Sequence, residues 1–261
     1  MFHCKLRIDV FLMLLVVLAF SCKNSIYGQT ASAEGKWHFL AEPYLMFPYM
    51  DGETGIGNNL ILPVEASPSD IFSKLQMGAM LYIEAETDRW AITSDLVYIS
   101  LNQELTPGIL IHEGDVTAKQ LIWEIAGLYR LTSALEVGIG GRVNYLKTSV
   151  DGWVNVLPIG IEPITGSHHK TWFDPILIAR FKTDVKDRWL VQLRGDMGGF
   201  GVGSDFTWQL QAYAGYQFTK LFQLTAGYRI LSTDFASGEA PKDFVFKVNE
   251  FGPVIRFGFN F

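Results

Sequence analysis

The chain has 261 residues, of which 49% are hydrophobic, 14% aromatic and 18% charged, with a formal net charge of −6 and 2 cysteines. An acidic balance excludes the electrostatic footprint of a nucleic-acid binder, so no nucleic acid is expected as a partner. No run of about eighteen apolar residues follows residue 28, which excludes a helical membrane span.

Residues 1–28 read as a secretory signal: Lys5 and Arg7 precede an apolar run from Val10 to Phe20 that is too short to cross a bilayer as a helix. Two processing readings stay open. Cleavage near Gly28 leaves Gln29 as the new N-terminus. Alternatively, Leu18-Ala19-Phe20-Ser21-Cys22 acts as a lipoprotein box with Cys22 acylated, although Ala19 and Phe20 depart from the usual pattern of such boxes. Removal of 1–28 takes Lys5, Arg7, Lys23 and Asp9 with it, moving the net charge from −6 to −8. No cysteine follows Cys22, so neither a disulfide framework nor a thiolate metal site is available to residues 29–261.

Residues 29–261 are expected to form one all-β domain, an antiparallel up-and-down transmembrane barrel. Ten strands are predicted, at 36–50, 77–86, 89–102, 115–131, 134–148, 171–183, 187–198, 204–219, 221–232 and 243–261. Eight or twelve remain open, because Asn59 to Val64 or Val154 to Ile164 can pair as extra segments. The connections alternate in length. Short ones at Glu86–Arg89, Leu131–Ala134, Thr183–Asp187 and Thr219–Leu221 are expected on the periplasmic side. Long ones at Asp51–Gln76, Asn102–Asp115, Thr148–Lys170, Gly198–Ser204 and Ser232–Asp243 are expected outside. Within the first long loop, Pro68 to Gln76 breaks the β pattern; Ser69 is the expected cap of a short helix that gathers Ile71, Phe72 and Leu75 and either plugs the lumen or packs on the rim.

The period of two fixes both faces of the strands. Leu135, Val137, Ile139, Val143 and Tyr145 oppose Glu136, Gly138, Gly140, Arg142 and Asn144. Phe206, Trp208, Leu210, Ala212, Ala214 and Tyr216 oppose Asp205, Thr207, Gln209, Gln211 and Tyr213. Turning the polar face inward puts Glu42, Glu84, Asp95, Glu124, Glu136, Arg142, Arg180, Arg194, Asp196, Arg229, Glu250 and Arg256 in the lumen. Such a mixture of carboxylates and arginines serves either as an internal salt-bridge network that stiffens a narrow barrel or as a transverse field along a water-filled pore for small polar solutes. The last strand places Ile255, Phe257, Phe259 and Phe261 on the outer face and ends on an aromatic, a pattern expected to act as the signal read by the barrel-insertion machinery. Trp37, Trp90 and Trp189 near one set of strand ends, with Trp153 and Trp172 near the other, match aromatic girdles facing membrane lipid.

Candidate chemistry is sparse. Gly198-Gly199-Phe200-Gly201-Val202-Gly203 has the look of a phosphate cradle, but no helix follows, and a tight loop flanked by Asp196 and Asp205 is the expected structure. His168-His169 is an adjacent pair that seldom closes on one metal, so no metal and no cofactor are expected. Asp174, His168 and Asp196 form the one set that proteolysis could draw on, and no motif joins them; no enzyme is expected.

The run Arg194 to Gln209, Ala226-Gly227-Tyr228-Arg229 and Gly252-Pro253 with the aromatic tail resembles a widespread group of barrels described only as hypothetical outer-membrane proteins. Trp37 to Tyr49, Trp90 to Tyr98 with Asp95, and Trp172-Phe173-Asp174-Pro175 look like other signatures of that group. More distantly the chain resembles opacity-type and porin-like surface barrels. The resemblance implies a barrel in the outer membrane of a Gram-negative bacterium and transfers no activity to any residue. It leaves two functions open: a porin-like channel with a charged, partly occluded lumen, or a closed structural or surface-interaction barrel acting through its outer loops.

Overall fold

The computed structural model describes residues 36–56, 61–105, 107–108, 111–156, 160–183, 188–238 and 244–261. The expected signal segment 1–28, with Cys22, lies outside the described residues. The strands are β1 His38–Met46, β2 Tyr49–Ile56, β3 Ile61–Ala66, β4 Leu75–Glu86, β5 Trp90–Glu104, β6 Ile111–Arg130, β7 Leu135–Val156, β8 Gly160–Lys182, β9 Trp189–Gly198, β10 Phe206–Gln217, β11 Phe222–Ser237 and β12 Phe244–Asn260. One short helix, α1 Pro68–Ser73, separates β3 from β4.

Ten strands close the barrel, β1 and β4 through β12, each antiparallel to its neighbours, and β2 and β3 are extra. Closure runs from Leu40↔Asn260 to Met46↔Val254, and the terminal Phe261 amide donates to the Phe39 carbonyl at 2.8 Å. Joining β1 to β12 leaves the ten-stranded ring itself without a free edge strand, which a lipid-facing sheet requires.

The first predicted strand, 36–50, is broken at Phe47-Pro48. Pro48 has no amide to give to the ladder, so β1 ends there and β2 resumes along the upper part of β12, from Tyr49↔Phe251 to Ile56↔Phe244. The bend brings the Phe47 carbonyl onto Gly252, where an added Cβ would lie 2.1 Å from that oxygen. β2 and β3 then form a hairpin, Met50↔Ala66 to Gly55↔Ile61, so of the expected extra segment Asn59 to Val64 the part from Ile61 on is extended but adds no strand to the wall, while Asn59 lies outside the described residues.

The long connections are shorter than the sequence pattern indicates. In the expected loop Thr148–Lys170, residues 148–156 continue β7 and 160–170 belong to β8, paired from Leu146↔Lys170 to Val156↔Gly160, and His168-His169 therefore sit on a strand rather than in a loop. In the same way β5 and β6 pair up to Glu104↔Asp115, and β11 and β12 up to Ser237↔Phe244. By contrast β9 and β10 stop early, at Thr207↔Gly198. β8 pairs with β9 only over Ile176–Lys182, so the wall is tall along β5–β8 and low at β9–β10.

Burial alternates through the barrel wall, as in β10, where Thr207, Gln209, Gln211 and Tyr213 are buried and Phe206, Trp208 and Leu210 are exposed. The exposed face is a band of large apolar side chains, among them Ile83, Ile92, Ile125, Ile139, Leu177 and Leu193. The buried face carries a dense set of arginines and carboxylates, from Glu42 to Arg256. This is a soluble protein turned inside out, the arrangement of a barrel that faces lipid.

α1 starts one step earlier than the sequence suggests. Its cap is Ser67 rather than Ser69: the Ser67 hydroxyl accepts from the Asp70 amide while the Ser67 amide donates to Asp70 Oδ2 at 3.0 Å, with Pro68 opening the helix. The reason is geometric, since a capping box needs its acid three residues on, and Asp70 stands there for Ser67. Ile71 is buried, whereas Phe72 remains 40% exposed with its ring 5.4 Å from that of Phe47.

Hydrogen bonds from the Ser67 hydroxyl and amide hold the Asp70 carboxyl below its usual range. A depressed carboxylate stabilises the fold fully above about pH 4 and loses that contribution as pH falls through its lowered value. Ser67→Ala should therefore raise the Asp70 midpoint toward the ordinary value, read by NMR titration of its side-chain carboxyl; an unchanged midpoint would mean the cap does not form.

Candidate functional site

The lumen is built in layers, because each inward residue on one strand lies level with inward residues on its neighbours. At the short-turn end a cavity of about 120 Å³ is bordered by His38, Glu86, Lys182, Gln192, Gln223 and Asn260. Lys182 Nζ lies 3.0 Å from Glu86 and 3.3 Å from Glu84, and Arg130 Nη2 lies 3.1 Å from Glu86 and 3.0 Å from Glu136.

Above this lies a belt of buried ion pairs. Arg180 donates from Nη1 to Glu84 Oε2 at 2.6 Å, from Nη2 to Glu84 Oε1 at 2.9 Å and from Nε to Glu136 Oε2 at 2.6 Å. Its Nη1 also reaches the Tyr82 hydroxyl at 3.0 Å, which in turn donates to Glu84. Arg142 joins Glu124 at 2.8 Å and Asp196 at 2.7 Å. Arg194 also pairs with Glu124, and Gln209 donates to Asp196 at 2.8 Å. Arg229 meets Asp95 at 3.2 Å and the Tyr44 hydroxyl at 2.9 Å, while Tyr44 donates to Asp95 at 2.7 Å. Arg256 pairs with Glu42 at 3.3 Å and sits among three tyrosine rings, 4.1 Å from the centroid of Tyr213, 4.8 Å from Tyr82 and 5.2 Å from Tyr44.

All of the predicted lumen charges lie here or just above: Glu42, Glu84, Asp95, Glu124, Glu136, Arg142, Arg180, Arg194, Asp196, Arg229, Glu250 and Arg256 are each buried. Arg142 is 0% exposed and Arg180 1%. A guanidinium removed from water needs every N–H partnered, and its planar fork meets two carboxylates at once where an ammonium would meet one. The tyrosines were not legible as members of this network, although Tyr44 and Tyr82 stand two residues from Glu42 and Glu84 on the same inward face.

Toward the long-loop end the residues flagged for chemistry part company. Asp174 is fully occupied: Oδ1 accepts from the Ser204 amide at 2.6 Å, and Oδ2 from the Ser204 hydroxyl at 3.0 Å, Asn144 Nδ2 at 3.0 Å and Trp172 Nε1 at 3.1 Å. It is a clasp that ties the β9–β10 turn to β8. Asp196 belongs to the belt, and the His168 ring packs 5.6 Å from that of Phe244. These three residues do not form a hydrolytic centre.

The Gly-rich stretch is a tight turn, as its flanking strands imply. Gly199, Phe200 and Gly201 all have left-handed φ, at 83°, 50° and 74°, and a Cβ on Gly203 would lie 2.2 Å from the Phe173 carbonyl oxygen. Trp172 is a correction to the girdle: it points inward, stacks on Phe235 at 4.1 Å and donates to Asp174 and Ser204. Two residues before an inward Asp174, its parity leaves it no outward option. Trp37, Trp90 and Trp189 are exposed near the short-turn end, and Trp153 is exposed on the β7–β8 extension. Phe257, Phe259 and Phe261 are outward and 38%, 40% and 60% exposed.

No protein-family model and no curated protein sequence matches the chain. Several solved structures align with most of its length. Ail, the attachment invasion locus protein of Yersinia pestis, solved with the heparin analogue sucrose octasulfate, aligns over 87% of this chain and 99% of its own, at 10% identity and a TM-score of 0.39. The toluene transporter TbuX of Ralstonia pickettii aligns over 88% and 90%, at 9% identity and 0.39. The CymD monoaromatic hydrocarbon channel aligns over 88% and 88%, at 12% and 0.36. Likeness at this distance carries no argument about what the chain does.

Arg229 and Asp95 touch no other charged partner within ion-pair distance among the described residues, so they isolate the energetics of the belt. Asp95→Leu strands a buried guanidinium and should cost about 3–5 kcal/mol. Adding Arg229→Met should recover most of that loss. Urea unfolding of the barrel in lipid vesicles measures both, and equal stability of the two variants would remove the pair from the network.

Proposed function

We propose that the chain is a closed barrel of a Gram-negative outer membrane that works by binding at its long-loop end rather than by conducting solutes or by catalysis. The observation that carries this reading is the sealed belt. Between the cavities at the two ends, the cross-section is filled by mutually paired arginines and carboxylates with three tyrosines around Arg256, all less than a tenth exposed. A pore that orients small polar solutes needs charges facing water. Here they face one another.

The apolar outer band and the even strand number support the membrane location, and lipid is the partner that band requires. Outward Phe257, Phe259 and the terminal Phe261 are suited to recognition by the insertion machinery during biogenesis. A role in binding is supported by the wall itself. β5–β8 rise well above the low β9–β10 hairpin, and the β7–β8 extension carries exposed Trp153, Ile161 and Ile164 beyond the apolar band.

Planar-bilayer recording of the refolded barrel tests the reading directly. Silence from protein shown to be folded is expected, and also from a variant with 148–169 replaced by a two-residue turn. Discrete ohmic steps from the wild-type chain would overturn it and establish passage of small solutes through the belt.

A further inference from the structure

Above the belt, at the long-loop end, the lumen holds a cavity of about 190 Å³. Its walls are mainly apolar, with Met50, Val64, Ile71, Ile99, Phe244 and Phe246 among them. An engineered apolar cavity of about 150 Å³ holds benzene, so this one has room for a single ring or a short alkyl chain.

Two inward-facing charged side chains, Glu250 and Lys170, border the same cavity, and neither makes a direct ion pair among the described residues. Glu250 is 9% exposed, and its carboxylate accepts one side-chain hydrogen bond, from Gln120 Nε2 at 2.5 Å. Asp174 also lacks a cation, but four donors saturate it; Glu250 has one. A buried carboxylate so poorly compensated carries a large desolvation cost. Lys170 is half-buried and faces inward by parity with Trp172 and Asp174, and its ammonium makes no ion pair or hydrogen bond among the described residues.

The register puts both charges at one height. Gln120 pairs with Leu146 and Leu146 with Lys170, so Gln120 and Lys170 lie two strands apart, about 10 Å between Cα atoms at the usual strand spacing. The Gln120 bond brings the Glu250 carboxylate to that same level. An anion and a cation thus border one apolar cavity without meeting each other. His168 packs against Phe244, while Lys119 and Lys147 border the cavity from strand positions whose parity turns their side chains outward.

We propose that this cavity binds a small zwitterion with an apolar body, such as an apolar amino acid. Its ammonium donates to Glu250, its carboxylate accepts from Lys170, and its side chain lies against Phe244 and Phe246. A net-neutral ligand leaves the charge of the site unchanged while giving each unpaired group its partner. A purely cationic ligand would leave Lys170 unmatched and add repulsion; a purely anionic one would do the same at Glu250.

Titration calorimetry on the full barrel in lipid nanodiscs tests this with phenylalanine, phenethylamine, 3-phenylpropionate and toluene as probes. Trp172 emission serves as a second readout, because its ring lies 5.9 Å from that of Phe246 on the cavity wall. Phenylalanine should bind at least tenfold more tightly than either singly charged analogue. Glu250→Gln should erase its advantage over 3-phenylpropionate, and Lys170→Met its advantage over phenethylamine. Equal affinity for all four probes, no binding of phenylalanine, or unchanged phenylalanine binding in both folded variants overturns the assignment. Channel activity, the failure mode of the closed-barrel reading, is scored separately and does not enter these comparisons.

Discussion

The structure depends on the cost of holding ions away from water inside a narrow cylinder. A ten-stranded wall leaves an interior that side chains can nearly fill, and once they do, each buried charge needs a partner within reach or the fold loses several kcal/mol. Arg142, Arg180 and Arg194 meet this by engaging two acids each, so that the pairs become a connected belt rather than isolated bridges. Tyrosine hydroxyls complete it, donating to a carboxylate and accepting from an arginine at the same oxygen, as Tyr44 and Tyr82 do. The belt also fixes register, since sliding any strand by one residue would send its charges into lipid.

The uneven wall follows from a different constraint. β9 and β10 end low because the Gly198–Ser204 turn needs left-handed backbone and close approach to β8, and Asp174 locks it there. Where the hairpin stops, side chains take over the sealing: Trp172 on β8 stacks directly on Phe235 of β11, and Phe244 and Phe246 pack beside them. The upper lumen is therefore lined by aromatic contact and the lower lumen by ion pairing, which makes the two ends chemically unlike.

Much of this was legible in the sequence, because a period of two carries both the face and the register. The inward charges and most of the outward aromatics follow from parity, and the count of ten from the breaks between segments, with eight and twelve also open. Three features did not. Which acid each arginine meets is a cross-barrel fact: Arg180 and Glu84 are 96 residues apart and no local pattern joins them. Trp172 was assigned to a girdle because aromatic type outweighed parity, although Asp174 two residues later gave its direction. The stretch Thr148–Lys170 has the look of a loop because its glycines, its proline and its polar residues are poor strand formers, yet β6 beside β7, and β7 beside β8, carry the ladder on through them.

Belt and cavity are linked by what the belt leaves over. Most lumen carboxylates find an arginine, a lysine or a saturating set of donors within their own layer, and the layers close from Glu86 up to Asp95 and Asp174. Glu250 stands one layer too high, level with Leu146 and Lys170, where the facing side chains are apolar or aromatic. A cation placed there by the sequence would have extended the belt and filled the cavity. Its absence from the described residues, beside a lysine that does not swing across to supply it, separates the part of the lumen that is finished as structure from the part that is still open to a ligand.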